Sequence, residues 1–300
     1  TFSGWGTVLN VAGMSLFTYV ALITDYKTFL KGCSLLTGSY VLINWLTVIL
    51  FPGGLYSTLQ YTQNFFLSYR TAWFPIYLWA VVVTLLWCEV EKSTFSKVWS
   101  GIVIAGVFIS MVMVWTATGI ACLAIGAIAF LIMKFRKKGV CISIGQLFLV
   151  EGVAFYLLVI ARAQEVFEYF IVTILKKDIT MSERLRVWDS ALELIGENFW
   201  FGVGDLSSNE MRALLGFGVS HAHNIYLNLC LCYGIAVTVI FFFLVYYVNS
   251  GKPTNETVGQ KKIMMAGMVA LLTAGLVESY TSIISLVYPM LLIAASIETQ

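Results

Sequence analysis

The sequence predicts an all-α fold, a polytopic membrane protein of about nine transmembrane helices with one large extracytoplasmic loop. Three observations carry that reading. Of 300 residues, 59% are hydrophobic and only 11% are charged, whereas soluble domains run roughly 45–50% apolar and about 25% charged. The mean hydropathy of +0.86 points the same way: a water-soluble body this size would be starved of surface charge, so lipid is the solvent. The apolar residues come in long Leu-rich runs with only four prolines, which fits helices rather than barrel strands that alternate over about ten residues. The net charge of +2 leaves no footprint for nucleic acid.

A helix needs about twenty apolar residues to cross the hydrocarbon core. In chain order such runs occupy residues 5–24, 33–51, 73–88, 98–114, 119–133, 140–161, 225–248, 263–277 and 282–297. The last two are parted only by Glu278-Ser279-Tyr280-Thr281, which reads as a hairpin, with one bent element as the alternative. The chain begins with Thr1, and the first run lacks the basic flank of a signal peptide, so an upstream segment is expected. Cys33, Cys88, Cys122, Cys141, Cys230 and Cys232 show no CxxC spacing and read as free thiols within or beside apolar runs.

Basic residues set the orientation. With Lys134, Arg136, Lys137 and Lys138 inside, strict alternation also puts Lys27, Lys31, Lys92, Lys97, Lys252, Lys261 and Lys262 inside. Arg70, Arg162, Lys176, Lys177, Arg184, Arg186 and Arg212 then fall outside. Lysine therefore marks the cytoplasmic face while arginine gathers on the other, where its planar, permanently charged fork suits phosphate or carboxylate.

Two outer loops are long enough to carry function, 52–72 and the larger 162–224. In the larger, Thr180-Met181-Ser182-Glu183 reads as a capping box opening a helix to about Glu197. Met181, Leu185, Trp188, Leu192 and Ile195 form its apolar stripe. Arg186, Asp189, Glu193 and Glu197 lie opposite, so Arg186 is expected to pair with Glu193 or Asp189. Arg184 sits at the border of the stripe, where an unpaired cation is costly unless it faces an anion or a wet cavity.

Gly202-Val203-Gly204 and Gly216-Phe217-Gly218 follow no strand and read as flexible turns, not a dinucleotide site. His221-Ala222-His223-Asn224 leads straight into an apolar run, with Asn224 as helix N-cap and the helix's positive end favouring an anion. These are the only two histidines of the chain. A neutral imidazole beside arginines suits acceptance of a hydroxyl proton, and the arginines suit a leaving phosphate or pyrophosphate. Too few further ligands lie near for zinc, so neither metal nor cofactor is expected.

The order Ser182-Glu183-Arg184, Trp188, Ala191-Leu192, Gly202-Val203-Gly204, His221-Ala222-His223-Asn224, Leu227 and Tyr233-Gly234-Ile235 resembles the signature of the O-antigen ligase and O-antigen polymerase superfamily. The resemblance implies a metal-independent, inverting glycosyltransferase of the bacterial inner membrane, acting on the extracytoplasmic face. It implies a saccharide on undecaprenyl pyrophosphate as donor and a glycan as acceptor. His223 takes the place of the family's base, and Arg184 that of the arginine on the donor pyrophosphate. The family's second arginine lies in a Ser-Arg-x-Gly stretch, where this chain has Thr116-Ala117-Thr118-Gly119; Arg70 or Arg162 is expected to replace it. His221, Asn224 and Arg186 are expected in support.

The chain is thus expected to divide into N-terminal transmembrane helices (1–161), a catalytic loop (162–224) and C-terminal helices (225–300). Polymerisation of lipid-linked repeat units into capsule, exopolysaccharide or O-antigen is the favoured activity, with a chain-length regulator protein as a further partner. Transfer of finished glycan to lipid A core, as a ligase, is the alternative. A lipid-linked oligosaccharide transporter would need polar residues deep in several spans, and only Asn44, Gln146 and Glu151 stand out.

Overall fold

The chain turns at Asp25, whose carboxylate accepts the Thr28 amide at 2.9 Å and so caps the second of two consecutive helices, α1 (Phe2–Thr24) and α2 (Tyr26–Leu50). The computed structural model describes residues 2–58, 61–135, 142–163, 180–204 and 206–279, and over these the chain is all-α without a strand. Next come α3 (Trp73–Glu91), α4 (Thr94–Met113), α5 (Ala117–Phe135), α6 (Ile144–Phe155) and α7 (Thr180–Glu197). The last three are α8 (Ser208–Leu215), α9 (Ile225–Asn249) and α10 (Val258–Gly275). Among the described residues five helices, α2, α3 with the 3-10 turn that leads it, α4, α5 and α9, are long and apolar enough to cross a membrane. Large apolar side chains such as Leu46, Phe108, Ile128 and Phe243 are exposed along them, as lipid contact demands. The expected span at 282–297 and Cys141 lie outside the described residues, as do the side chains of the expected capping box, although α7 does begin at Thr180.

The described residues form two compact units. One lies within Thr1–Ile142 and Gly251–Leu271, the other within Ser143–Ser250 and Leu272–Tyr280, so α10 contributes to both. In the first unit α2, α3 and α4 pack together around Trp73, Tyr77, Val83 and Leu86, which are fully buried. Polar bonds fix the register of these helices. Asn44 Nδ2 donates to Tyr77 Oη at 2.8 Å, and Tyr77 shares a 3.0 Å bond with Ser110 Oγ. Asn44 Oδ1 also accepts the Leu67 amide at 2.8 Å, tying the loop after α2 to the helices. Without water to compete, each such bond holds helices together by roughly 0.6–2 kcal/mol.

The second unit is built on the amphipathic face of α7. Trp188 and Ala191 pack with Met211 and Leu215 of α8, Ala222, and Leu227, Leu231 and Cys232 of α9. The expected stripe is real, but its centre lies at Val187, Trp188 and Ala191, which are buried, while Leu185, Leu192 and Ile195 flank it half-buried.

The motif at 202–204 corrects the expectation of a flexible turn, whereas Gly216-Phe217-Gly218 is a turn as expected. Helix α9 breaks at Gly234 (φ 73°, ψ 173°), which strips the Leu231 and Cys232 carbonyls of their helical donors. Val203 N–H bonds Leu231 O at 2.8 Å and Gly204 N–H bonds Cys232 O at 2.9 Å, while Ile235 N–H turns to Phe199 O at 2.9 Å. The Gly-Val-Gly segment is therefore a backbone splint across a broken helix. Only glycine fits at the contact, since a Cβ on Gly202 would lie 2.6 Å from the Cys232 backbone and one on Gly234 2.2 Å from Trp200 O.

Candidate active site

The site is assembled in the second unit from α7, the start of α9 and the chain leaving α10. Asn224 Oδ1 caps α9 by accepting the Leu227 amide at 3.1 Å, and its Nδ2 donates to Leu276 O at 2.8 Å. The same residue thus ends one helix and anchors the end of another. Further contacts hold that end. Tyr226 donates to Leu272 O at 3.2 Å and Thr273 donates to the buried Glu151 at 2.9 Å. Gly275 lies so close to Ile225 that a Cβ would stand 2.4 Å from its Cγ2. What this segment delivers is Glu278.

Glu278 stands between Arg184 and His223. Its Oε1 accepts Arg184 Nη2 at 2.7 Å, and its Oε2 lies 3.4 Å from His223 Nδ1. Arg184 Nη1 also donates to Val277 O at 2.7 Å, so the border position of Arg184 on α7 is resolved by an anion. The three side chains are only partly accessible, with 29%, 27% and 16% of Arg184, His223 and Glu278 exposed. Burial draws the Glu278 carboxyl upwards, but the His223 hydrogen bond and the Arg184 charge outweigh it and hold the group below the ordinary carboxylate range. Glu278 is ionised.

His223 has a left-handed backbone, φ 48°, a conformation uncommon outside glycine though more open to His than to most residues. The preceding Ala222 is held on both sides: its carbonyl accepts Trp188 Nε1–H at 2.9 Å and its amide donates to Asn228 Oδ1 at 3.2 Å. The His223 amide then donates to His221 Nδ1 at 3.3 Å, and the two rings meet edge to face at 4.2 Å. Accepting at Nδ1 requires His221 to be neutral. Its burial, with the charges of His223 and Arg184, pushes its pKa down to about 4 against the pull of Glu278.

The structure brings Arg184, His221, His223 and Asn224 together. The other expected residues have different surroundings. Arg162 forms an ion pair with Asp189, which lies about 140° around α7 from Arg184 at 100° per residue. The expected pairing of Arg186 with Asp189 is thus replaced by one with Arg162, and Arg186 is exposed. Arg70 belongs to the first unit, where Nη1 donates to Val114 O at 3.2 Å and the guanidinium lies 5.6 Å from the Tyr69 ring centre. Glu278 was not among the expected site residues. Its signal was a lone carboxylate ending an apolar run, which reads equally well as a hairpin turn. Among the described residues no three His, Cys, Asp or Glu side chains converge as metal ligands.

Residues 104–242 match the family model described as O-antigen ligase. That match covers just under half of the chain and supports the O-antigen ligase and polymerase superfamily. Family members are glycosyltransferase-like enzymes of polysaccharide biosynthesis, with lipid-linked glycan substrates and a membrane setting. The family match contains Arg184, Trp188, the splint at 202–204, His221 to Asn224 and the break at Gly234, and it ends before Glu278. No curated protein matches the chain.

Proposed function

We propose that the chain is an inverting polysaccharide polymerase that joins saccharide repeat units carried on undecaprenyl pyrophosphate, at the extracytoplasmic face of a bacterial inner membrane. The observation that carries this reading is the placement of one ionised carboxylate between an arginine and the histidine of the family's base position. An Nδ1–H tautomer of His223 donates to Glu278 and leaves Nε2 with a lone pair for an acceptor hydroxyl. As Nε2 takes the hydroxyl proton, the acceptor oxygen attacks the donor anomeric carbon and the bond from that carbon to pyrophosphate oxygen breaks. The proton ends on His223, whose positive charge Glu278 offsets, and the electron pair leaves on undecaprenyl pyrophosphate, whose charge Arg184 meets. A single displacement inverts the anomeric centre. Arg162, which pairs with Asp189 in the same unit, is the remaining candidate there for the second charge on the pyrophosphate.

Transfer to a lipid A core uses the same chemistry, and the acceptor alone separates ligase from polymerase. Transport has less support, because the polar residues within spans hold structure: Asn44 bonds Tyr77 and Leu67, Gln146 completes the capping box of α6, and Glu151 bonds Thr273. The test is purified protein supplied with lipid-linked repeat units. Extension on undecaprenyl pyrophosphate supports the polymerase, whereas transfer only to core oligosaccharide assigns a ligase. Wild-type product from a well-folded His223→Ala variant overturns the catalytic reading altogether.

A further inference from the structure

We propose that Glu278 couples donor binding to arming of the base, so that the enzyme takes its donor before its acceptor reacts. This rests on Arg184 as the pyrophosphate contact. The carboxylate is shared unequally: its bond to the guanidinium is 2.7 Å, whereas the approach to the imidazole is 3.4 Å, beyond the usual 2.7–3.2 Å or so of an N–H···O bond. Both terminal nitrogens of Arg184 are engaged, one by Glu278 and the other by Val277 O. A pyrophosphate that takes these two N–H donors as a bidentate pair competes with Glu278 for the fork.

The displaced carboxylate has one nearby destination. Its backbone is held independently of Arg184, by its own amide donating to Ala274 O at 2.9 Å and by the Asn224 bond to Leu276 O, and Oε2 already faces His223 Nδ1. Rotation of the freed carboxylate closes that gap. The full hydrogen bond aligns the ring and stabilises the imidazolium formed as Nε2 takes a proton. With no donor, Arg184 holds Glu278 and the base is only loosely supported. The other titratable group against the ring, His221, is kept neutral and donates no charge to the exchange. Glu278 is on this account a positioning residue that also competes with the substrate's pyrophosphate.

That competition gives a signature a merely structural residue lacks. The full chain in lipid nanodiscs is titrated with undecaprenyl pyrophosphate carrying no sugar. Glu278→Gln is expected to bind it ~5-fold more tightly, the loss of one partly exposed ion pair, while polymer formation slows by about tenfold or more. Equal or weaker binding by a variant that elutes and melts like the wild type overturns the coupling. If the variant does not fold, the wild type supplies the reading. With two histidines in the chain, the ¹⁵N resonance of His223 Nδ1 is resolved, and it is expected to move on addition of the same lipid; an unmoved resonance overturns the proposal. An inactive His223→Ala together with a weakly binding Glu278→Gln sinks the coupling alone, whereas an active His223→Ala sinks the polymerase reading beneath it.

Discussion

Trp188 donates its indole N–H to the carbonyl of Ala222 at 2.9 Å, and through that one bond α7 fixes the backbone between the two histidines. Replacing Trp188 by Phe keeps most of the buried ring and removes the donor. The bare carbonyl is expected to cost about 1–3 kcal/mol, seen as a lower melting temperature. Activity should fall further than stability, because His223 loses the constraint on its left-handed backbone. A Trp188→Phe enzyme with unaltered turnover would show that the bond does not position the base.

Acid should weaken the site through His221. Its folded-state pKa is about 4, below the roughly 6.5 of an unfolded histidine, so protonation favours the unfolded chain. The stability that neutral His221 contributes is complete above about pH 6.5, is lost progressively as pH falls towards 4, and changes no further below that. Melting temperatures measured from pH 7 to 4.5 should therefore decline less steeply in His221→Asn than in the wild type. Parallel declines would place the acid sensitivity elsewhere.

The splint predicts which glycines tolerate a methyl group. Gly234→Ala puts a Cβ 2.2 Å from Trp200 O at a φ of 73°, and Gly202→Ala puts one 2.6 Å from Cys232 at a φ of 67°. Both should reduce the yield of folded protein severely, since clash and left-handed strain combine. Gly152 within α6 has nothing within 4 Å of its Cβ position, and Gly152→Ala should be neutral or stabilising by about 0.5–1 kcal/mol. Detergent-extracted yield and melting temperature decide the order.

The arginines should grade by their partners. Arg184→Lys keeps a charge but cannot reach Glu278 and the Val277 carbonyl together as the fork does, and a loss of about tenfold or more in turnover is expected. Arg162→Ala breaks a pair with Asp189 that is half-exposed, and its cost should stay near the 0–1 kcal/mol or so of such pairs. Comparable losses of activity in the two variants would bring Arg162 back to the pyrophosphate.

The membrane bundle was legible because hydropathy reports directly on solvent. The α7 stripe and the Asn224 cap were legible because helical period and capping are local. Arg184 was singled out for the same local reason, being a cation beside an apolar stripe. Glu278 was not, because its partner Arg184 is 94 residues away and no local pattern links the end of one apolar run to the border of another helix. The glycine pair at 202 and 204 was read as loose for a related reason: its acceptors, the Leu231 and Cys232 carbonyls, exist only because a distant Gly234 breaks the helix. Spacing offers Arg186 either Glu193 or Asp189, and a long-range competitor, Arg162, holds the latter.

The broken helix also bears on how the protein is made. A membrane helix with two bare carbonyls carries several kcal/mol of penalty for each in hydrocarbon, on the order of a whole domain's margin of stability. The donors that relieve it, Val203 and Gly204, precede α9 in the chain. They leave the ribosome first, so both donors are already made when the broken span is completed.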